Sequence, residues 1–196
     1  SKMSNKPLKE GLYKVLKPVL GVVFKLYYNP QIIGSENIPK EGSILIVGNH
    51  KHIMDQCSII ISTKRVIHYM AKREYFDNKL VAWFFKGTGC ISVDRSIKDT
   101  KATELALEVL NNGGAIGLFP EGTRNKTDKL LLPFKYGAVS MAKKTSSYLV
   151  PFGIKGDYKF RSKNLVVTIG KPFKVDDLSL EDANNKLREK IKELID

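Results

Sequence analysis

Ser43-Ile44-Leu45-Ile46-Val47-Gly48-Asn49-His50-Lys51-His52-Ile53-Met54-Asp55 is the stretch that decides the fold. Four consecutive branched aliphatic residues leave no polar face, so residues 43–47 read as a strand buried on both sides. Gly48 and Asn49 interrupt the run, and a helix is predicted over 53–62. The same alternation continues outward. Short apolar strands are predicted over 65–70, 90–93, 115–119, 148–154 and 165–169, with helices over 77–86, 98–110 and 136–145. A last helix follows Ser179 as N-cap, with Asp182 at the capping-box position and Ala183, Leu187, Ile191 and Leu194 on one face. Such alternation specifies an α/β fold, a single sheet with helices on both faces. With 196 residues, 42% of them hydrophobic, the chain can bury one core, and residues 30–196 are read as one domain.

Residues 1–29 read differently. Leu8, Leu12, Val15, Leu16, Val19, Leu20, Val23 and Tyr27 form one stripe at 100° per residue, and Lys14, Lys17 and Lys25 fall opposite. A basic amphipathic helix of this kind suits the plane of an anionic membrane; the alternative is a terminal helix packed on its own domain. The width of the stripe, its aromatic end and the interruption at Pro18 favour the membrane. Charged residues break every apolar run short of the roughly 20 residues a spanning helix needs, and no secretory signal pattern is read. A peripheral protein on the cytoplasmic face of the cell membrane is therefore expected. The 33 Lys and Arg against 20 Asp and Glu give a net charge of +13, compatible with membrane, anionic substrates or nucleic acid. Cys57 and Cys90 lie in apolar stretches without metal-ligand spacing and read as free thiols.

Two polar motifs follow predicted strands. His50 emerges where a strand ends, with Asp55 five residues on. That spacing requires His50 in the loop and Asp55 in the first helical turn, where the carboxylate can fix one ring nitrogen as N–H and leave the other to take a proton. Spacing alone serves His52 equally well. The second motif, Phe119-Pro120-Glu121-Gly122-Thr123-Arg124, offers a glycine-flexed turn and an arginine suited to phosphate. Taken singly it is an ordinary turn with an ion pair. Gly89-Cys90-Ile91-Ser92-Val93-Asp94-Arg95 closes a further strand with an acid and an arginine, which read as caps of the next helix. Val150-Pro151-Phe152-Gly153 breaks another and could shape a pocket wall.

In order and spacing, N-H-x4-D, G-x-I-x-V-D-R, F-P-E-G-T-R and V-P resemble the four motifs of the PlsC-type glycerolipid acyltransferases, which include the 1-acylglycerol-3-phosphate acyltransferases. The resemblance covers roughly residues 30–175 and includes Phe134-Lys135-Tyr136-Gly137-Ala138, similar to the family's F-K-x-G-A. It implies that His50 is the general base for the free hydroxyl of a lysophospholipid and that Asp55 orients it. The alkoxide would attack an acyl thioester directly, with no covalent acyl-enzyme. It also implies glycerol phosphate binding by Glu121, Gly122, Thr123 and Arg124, with Arg95 and Lys72 as further candidates. The expected partners are lysophosphatidic acid and acyl-CoA or acyl carrier protein, with no cofactor and no metal. Cys90, Ser92 and Phe152 depart from residues common at those positions, and an altered acyl pocket is expected from them.

Other classes fit less well. A metal hydrolase needs more ligands beside His50, His52 and Asp55 than His68, inside a predicted strand, can supply. A serine hydrolase needs a G-x-S-x-G elbow, which is absent from the sequence. A nucleic-acid binder would interleave basic residues with exposed aromatics, whereas the aromatics here lie within apolar stretches. A non-catalytic lipid-phosphate-binding domain explains the charge and the amphipathic helix but not a histidine and an acid at a strand end. Among acyltransferases, another lysophospholipid or glycerol 3-phosphate is the alternative acceptor.

Overall fold

The computed structural model describes residues 9–196. Among these, seven strands form one sheet: β1 (Gln31–Ile33), β2 (Ile44–Gly48), β3 (Ile67–Lys72), β4 (Ile91–Val93), β5 (Ala115–Leu118), β6 (Tyr148–Lys155) and β7 (Val166–Ile169). Their spatial order is β1-β7-β6-β2-β5-β3-β4. The five strands from β6 to β4 are parallel. At the other edge β7 runs antiparallel to β6, with β1 parallel to β7.

Helices α1 (Gly11–Tyr28), α2 (Asp55–Ile60), α3 (Lys79–Gly87), α4 (Thr100–Asn111), α5 (Gly137–Thr145) and α6 (Leu180–Ile195) complete the fold. Leu45 and Val47 of β2 pack with α4, α5 and α6 residues such as Ala106, Ala142 and Leu187. Ile44 and Ile46, pointing the other way, pack with Ile59 of α2 and Tyr28 of α1. All four β2 side chains are fully buried, which is why this strand carries no polar alternation. Ser179 caps α6 by accepting from the Asp182 N–H at 3.1 Å.

Three local differences from the sequence reading have physical causes. β1 is only three residues long, too short to show a period, and is held by its ladder to β7. β3 begins and ends two residues later than predicted, which brings Lys72 to its end. α2 starts at Asp55 rather than at residue 53, because the Asp55 carboxylate accepts the Lys51 and His52 N–H groups and holds the preceding loop out of the helix.

The apolar stripe of α1 packs on the domain only in part, through the half-buried Leu12 and Leu16. Tyr13 and Phe24 are buried, and the amine of Lys17 turns inward to the Thr63 and Arg65 carbonyls. Burial draws the Lys17 amine down to about 8. Val15, Val19, Val22, Val23 and Leu26 remain exposed, Leu26 at 72%. Leu80 and Trp83 of α3 are also exposed, as is Phe160, whose ring meets Tyr27 at 5.2 Å. Leu8, the first residue of the predicted stripe, lies outside the described residues.

Candidate active site

Four adjacent parallel strands, β2, β5, β3 and β4, deliver polar residues to one edge of the sheet. His50 follows β2, the turn at residues 121–124 follows β5, Lys72 ends β3, and Arg95 lies just beyond β4. A crevice at the carboxyl ends of parallel strands is the common ligand position in open α/β sheets.

The His50 ring lies flat on Phe119, with centroids 3.9 Å apart, and its Nδ1 is 2.8 Å from Oδ2 of Asp55. Asp55 is fully buried. Its Oδ2 also accepts the N–H groups of Lys51 at 2.6 Å and His52 at 2.8 Å, and Oδ1 accepts the Tyr158 hydroxyl at 2.8 Å. These donors offset the cost of burying the carboxylate, and with the ring protonated on Nδ1 they leave Nε2 as a free base. Among the described residues no hydrogen bond engages His50 Nε2. His52 takes a different place: its Nδ1 accepts the Met54 N–H and its ring stacks on Tyr158. His68, buried in β3, turns Nδ1 to the Gly89 carbonyl and Nε2 to Glu10.

The loop bearing His50 is held from two further sides. The Asn49 amide donates to the Ile154 carbonyl at 2.9 Å and accepts its N–H at 2.8 Å, tying the end of β2 to β6. Glu121, 5% exposed, accepts the His50 N–H on Oε1 at 3.0 Å and the Leu132 N–H on Oε2 at 2.8 Å. Burial pushes the Glu121 carboxyl up, and these two donors pull against it. Both oxygens are therefore committed to backbone. Glu121→Gln would turn an amide N–H towards a backbone donor, and a loss of roughly 1–3 kcal/mol in denaturant unfolding is expected. An unchanged unfolding midpoint would contradict this.

Lys72, Arg95, Gly122, Thr123 and Arg124 line one narrow cup with His50. The Nη1 of Arg95 is buried there without a hydrogen-bond partner. Desolvation draws the guanidinium pKa down, and an acceptor with negative charge would relieve that cost. Gly122 is at φ +76°, and a Cβ there would lie 2.9 Å from Cε of Lys135 and 3.3 Å from Nη1 of Arg95. Glycine is thus favoured by the left-handed backbone, and a larger residue would also press on the ends of the Lys135 and Arg95 side chains. Lys135 stands beside the cup as a cation the sequence reading did not assign.

The acid of the third motif has another task. Asp94 pairs with Arg73 at 3.0 Å and accepts from Ser96. Asp99, not Asp94, caps α4, accepting the Ala102 N–H at 3.0 Å.

Between α1, α2, α3 and β3 lies an apolar cavity of about 570 Å³, walled by Leu16, Phe24, Ile60, Tyr69 and Cys90. Gln56 borders both this cavity and the cup. Burial pushes the Cys90 thiol up to about 11. Of the three departures noted in sequence, Cys90 alone lines the cavity. Ser92 is exposed, and Phe152 is buried in the core, edge-on to Phe119 at 6.1 Å. A Cβ at Gly48 would fall 2.2 Å from the Phe152 ring, so the large side chain is accommodated by glycine on the neighbouring strand.

The chain is an α/β protein that belongs to the acyltransferase family, whose model matches residues 29–155. That span contains all four motifs. The chain is 29% identical over 195 residues to the 1-acyl-sn-glycerol-3-phosphate acyltransferase of Bacillus subtilis, covering 93% of this chain and 96% of that protein. It is 35% identical over 141 residues to the protein of the same name from Borreliella burgdorferi, covering 71% of this chain and 56% of that one. Among solved structures, the crystal structure of the 1-acyl-sn-glycerophosphate (LPA) acyltransferase PlsC from Thermotoga maritima aligns with a TM-score of 0.68 and 25% identity, covering 92% of this chain and 77% of that chain.

Proposed function

We propose that this protein transfers a fatty acyl group from an acyl thioester, carried on coenzyme A or acyl carrier protein, to the sn-2 hydroxyl of 1-acylglycerol 3-phosphate, giving phosphatidic acid. The observation that carries the reading is the free Nε2 of His50, fixed through Nδ1 by buried Asp55, opening on a cup where a buried arginine nitrogen lacks an acceptor. The acceptor phosphate binds Arg95, Arg124 and Lys72, which holds the hydroxyl beside His50. Nε2 removes the hydroxyl proton, and the oxygen attacks the thioester carbonyl. The intermediate collapses with cleavage of the C–S bond, and the imidazolium returns the proton to the thiolate. The apolar cavity beside Gln56 takes an acyl chain.

The exposed apolar side chains of α1, together with Trp83, Leu80 and Phe160, support docking on a membrane surface, which on this reading is the anionic cytoplasmic face. Among the described residues no helix is long and apolar enough to cross a membrane. Residues 1–29 thus act as the docking segment and residues 30–196 as the catalytic domain.

Steady-state thiol release with lysophosphatidic acid, other lysophospholipids and glycerol 3-phosphate tests the acceptor. Lysophosphatidic acid is expected to give the highest kcat/KM. Arg124→Ala is expected to raise the acceptor KM about 10- to 100-fold, the worth of a charged phosphate contact, with little change in the thioester KM. Equal effects on both substrates would contradict the phosphate role.

A further inference from the structure

His50 borders a second opening on the side away from the cup. It is a polar groove of about 340 Å³ lined by Asn49, Lys51, Asn125, Lys129, Lys155 and Gly156 among others. The geometry points to this groove as the site of the donor's 4′-phosphopantetheine arm, the thiol-bearing chain shared by coenzyme A and acyl carrier protein. The inference rests on the acyl-transfer reading and adds to it the path of the leaving group.

The argument begins with the three parts that must converge on His50. The acceptor phosphate needs cations, and the cup supplies Lys72, Arg95 and Arg124. The acyl chain needs an apolar enclosure, and the cavity behind Gln56 supplies it. When the C–S bond breaks, the thiolate departs on a chain of amides and a hydroxyl ending in phosphate. That chain suits neither an apolar cavity nor a cup already holding another phosphate.

The groove has the matching chemistry. It is open and polar, and it reaches His50 directly. Three lysines face it against one acidic group not otherwise engaged, Asp128, since the Glu121 oxygens are bound to backbone. The Lys51 amine is held at 2.7 Å by the Gly156 carbonyl, which stiffens the wall next to His50. Lys129 and Lys155 are exposed, and the Lys155 amine has only a 3.5 Å contact to the Asp196 carbonyl. Those two amines are the ones free to meet an incoming phosphate.

The test is the double charge reversal Lys129→Glu with Lys155→Glu, two exposed side chains of the groove that belong neither to the dyad nor to the cup. KM is measured for acyl-CoA, for acyl carrier protein thioester, for lysophosphatidic acid, and for an acyl N-acetylcysteamine thioester, which has the reacting group without the phosphate. The KM for both phosphopantetheine donors is expected to rise about tenfold or more, with those for lysophosphatidic acid and the short thioester within about twofold. The neutral pair Lys129→Gln with Lys155→Gln should move the same two constants in the same direction by less. Unchanged donor constants, or an equal rise for the short thioester, would overturn the assignment. A rise for the carrier protein alone would also overturn it, because the lysines would then meet the carrier's surface and not the shared arm. Absence of thiol release from every donor with wild type would be a distinct result, removing the acyl-transfer reading and the groove's role with it.

Discussion

His50→Ala is expected to lower kcat by about 10³-fold or more while leaving vesicle binding within about twofold, since a positioned general base is worth roughly 10²–10⁴ in rate. The imidazole supplies the only proton acceptor that the loop after β2 presents with its other nitrogen fixed by a carboxylate. Its removal leaves the cations of the cup, the apolar cavity and the exposed face of α1 in place, because none of these is held by the imidazole. The effect should therefore fall on kcat and not on the acceptor KM. Equal losses in kcat and lipid binding would indicate that the loop had collapsed. Unchanged turnover would exclude His50 as the base.

Asp55→Asn is expected to cost nearly as much, about 10³- to 10⁴-fold in kcat, by the logic that makes the equivalent change in serine protease triads so damaging. Asp55 accepts from the His50 ring, from two backbone N–H groups and from the Tyr158 hydroxyl. An amide has one oxygen and one N–H₂ group, so it must turn a donor either towards His50 and the backbone pair or towards Tyr158. In the first case the ring is driven to the tautomer with Nε2 protonated, which cannot accept the hydroxyl proton. In the second the oxygen still serves the ring without its full charge, and the imidazolium formed in the reaction loses its counter-ion. The unfolding midpoint separates this from simple loss of fold: a tautomer error lowers kcat in enzyme that remains folded at the assay condition, whereas loss of fold lowers the midpoint to that condition. Full activity in this variant would remove Asp55 from the mechanism.

The fold was legible largely through the centre of the sheet. Residues 44–47 are buried on both faces, so their sequence is uniformly apolar, and the strand was unmistakable. β1 was invisible because three residues carry no period. The cup was legible to the extent that each contributor follows a strand. Lys72, Arg95 and Arg124, far apart in sequence, meet because β3, β4 and β5 are neighbours in the sheet. Spacing could not choose between His50 and His52; the folded loop gives the Asp55 carboxylate to the former ring. Tyr158 carried no signal, since its contact with Asp55 is made across about a hundred residues by a loop without periodicity. The division of the α1 stripe between domain and exterior was also hidden, because an apolar stripe does not declare whether protein or membrane covers it. Here Tyr13 and Phe24 face the domain together with Leu12 and Leu16, while Val15, Val19 and Val23 of the stripe are exposed.

The most direct test of the account is thiol release from an acyl thioester in the presence of vesicles, with and without lysophosphatidic acid, for wild type and His50→Ala. Release that depends on lysophosphatidic acid, matches the phosphatidic acid formed, and is lost in the variant is the predicted result. Thiol release at the same rate without acceptor, or retained in His50→Ala, would contradict the proposal that His50 delivers a phosphate-anchored hydroxyl to the thioester.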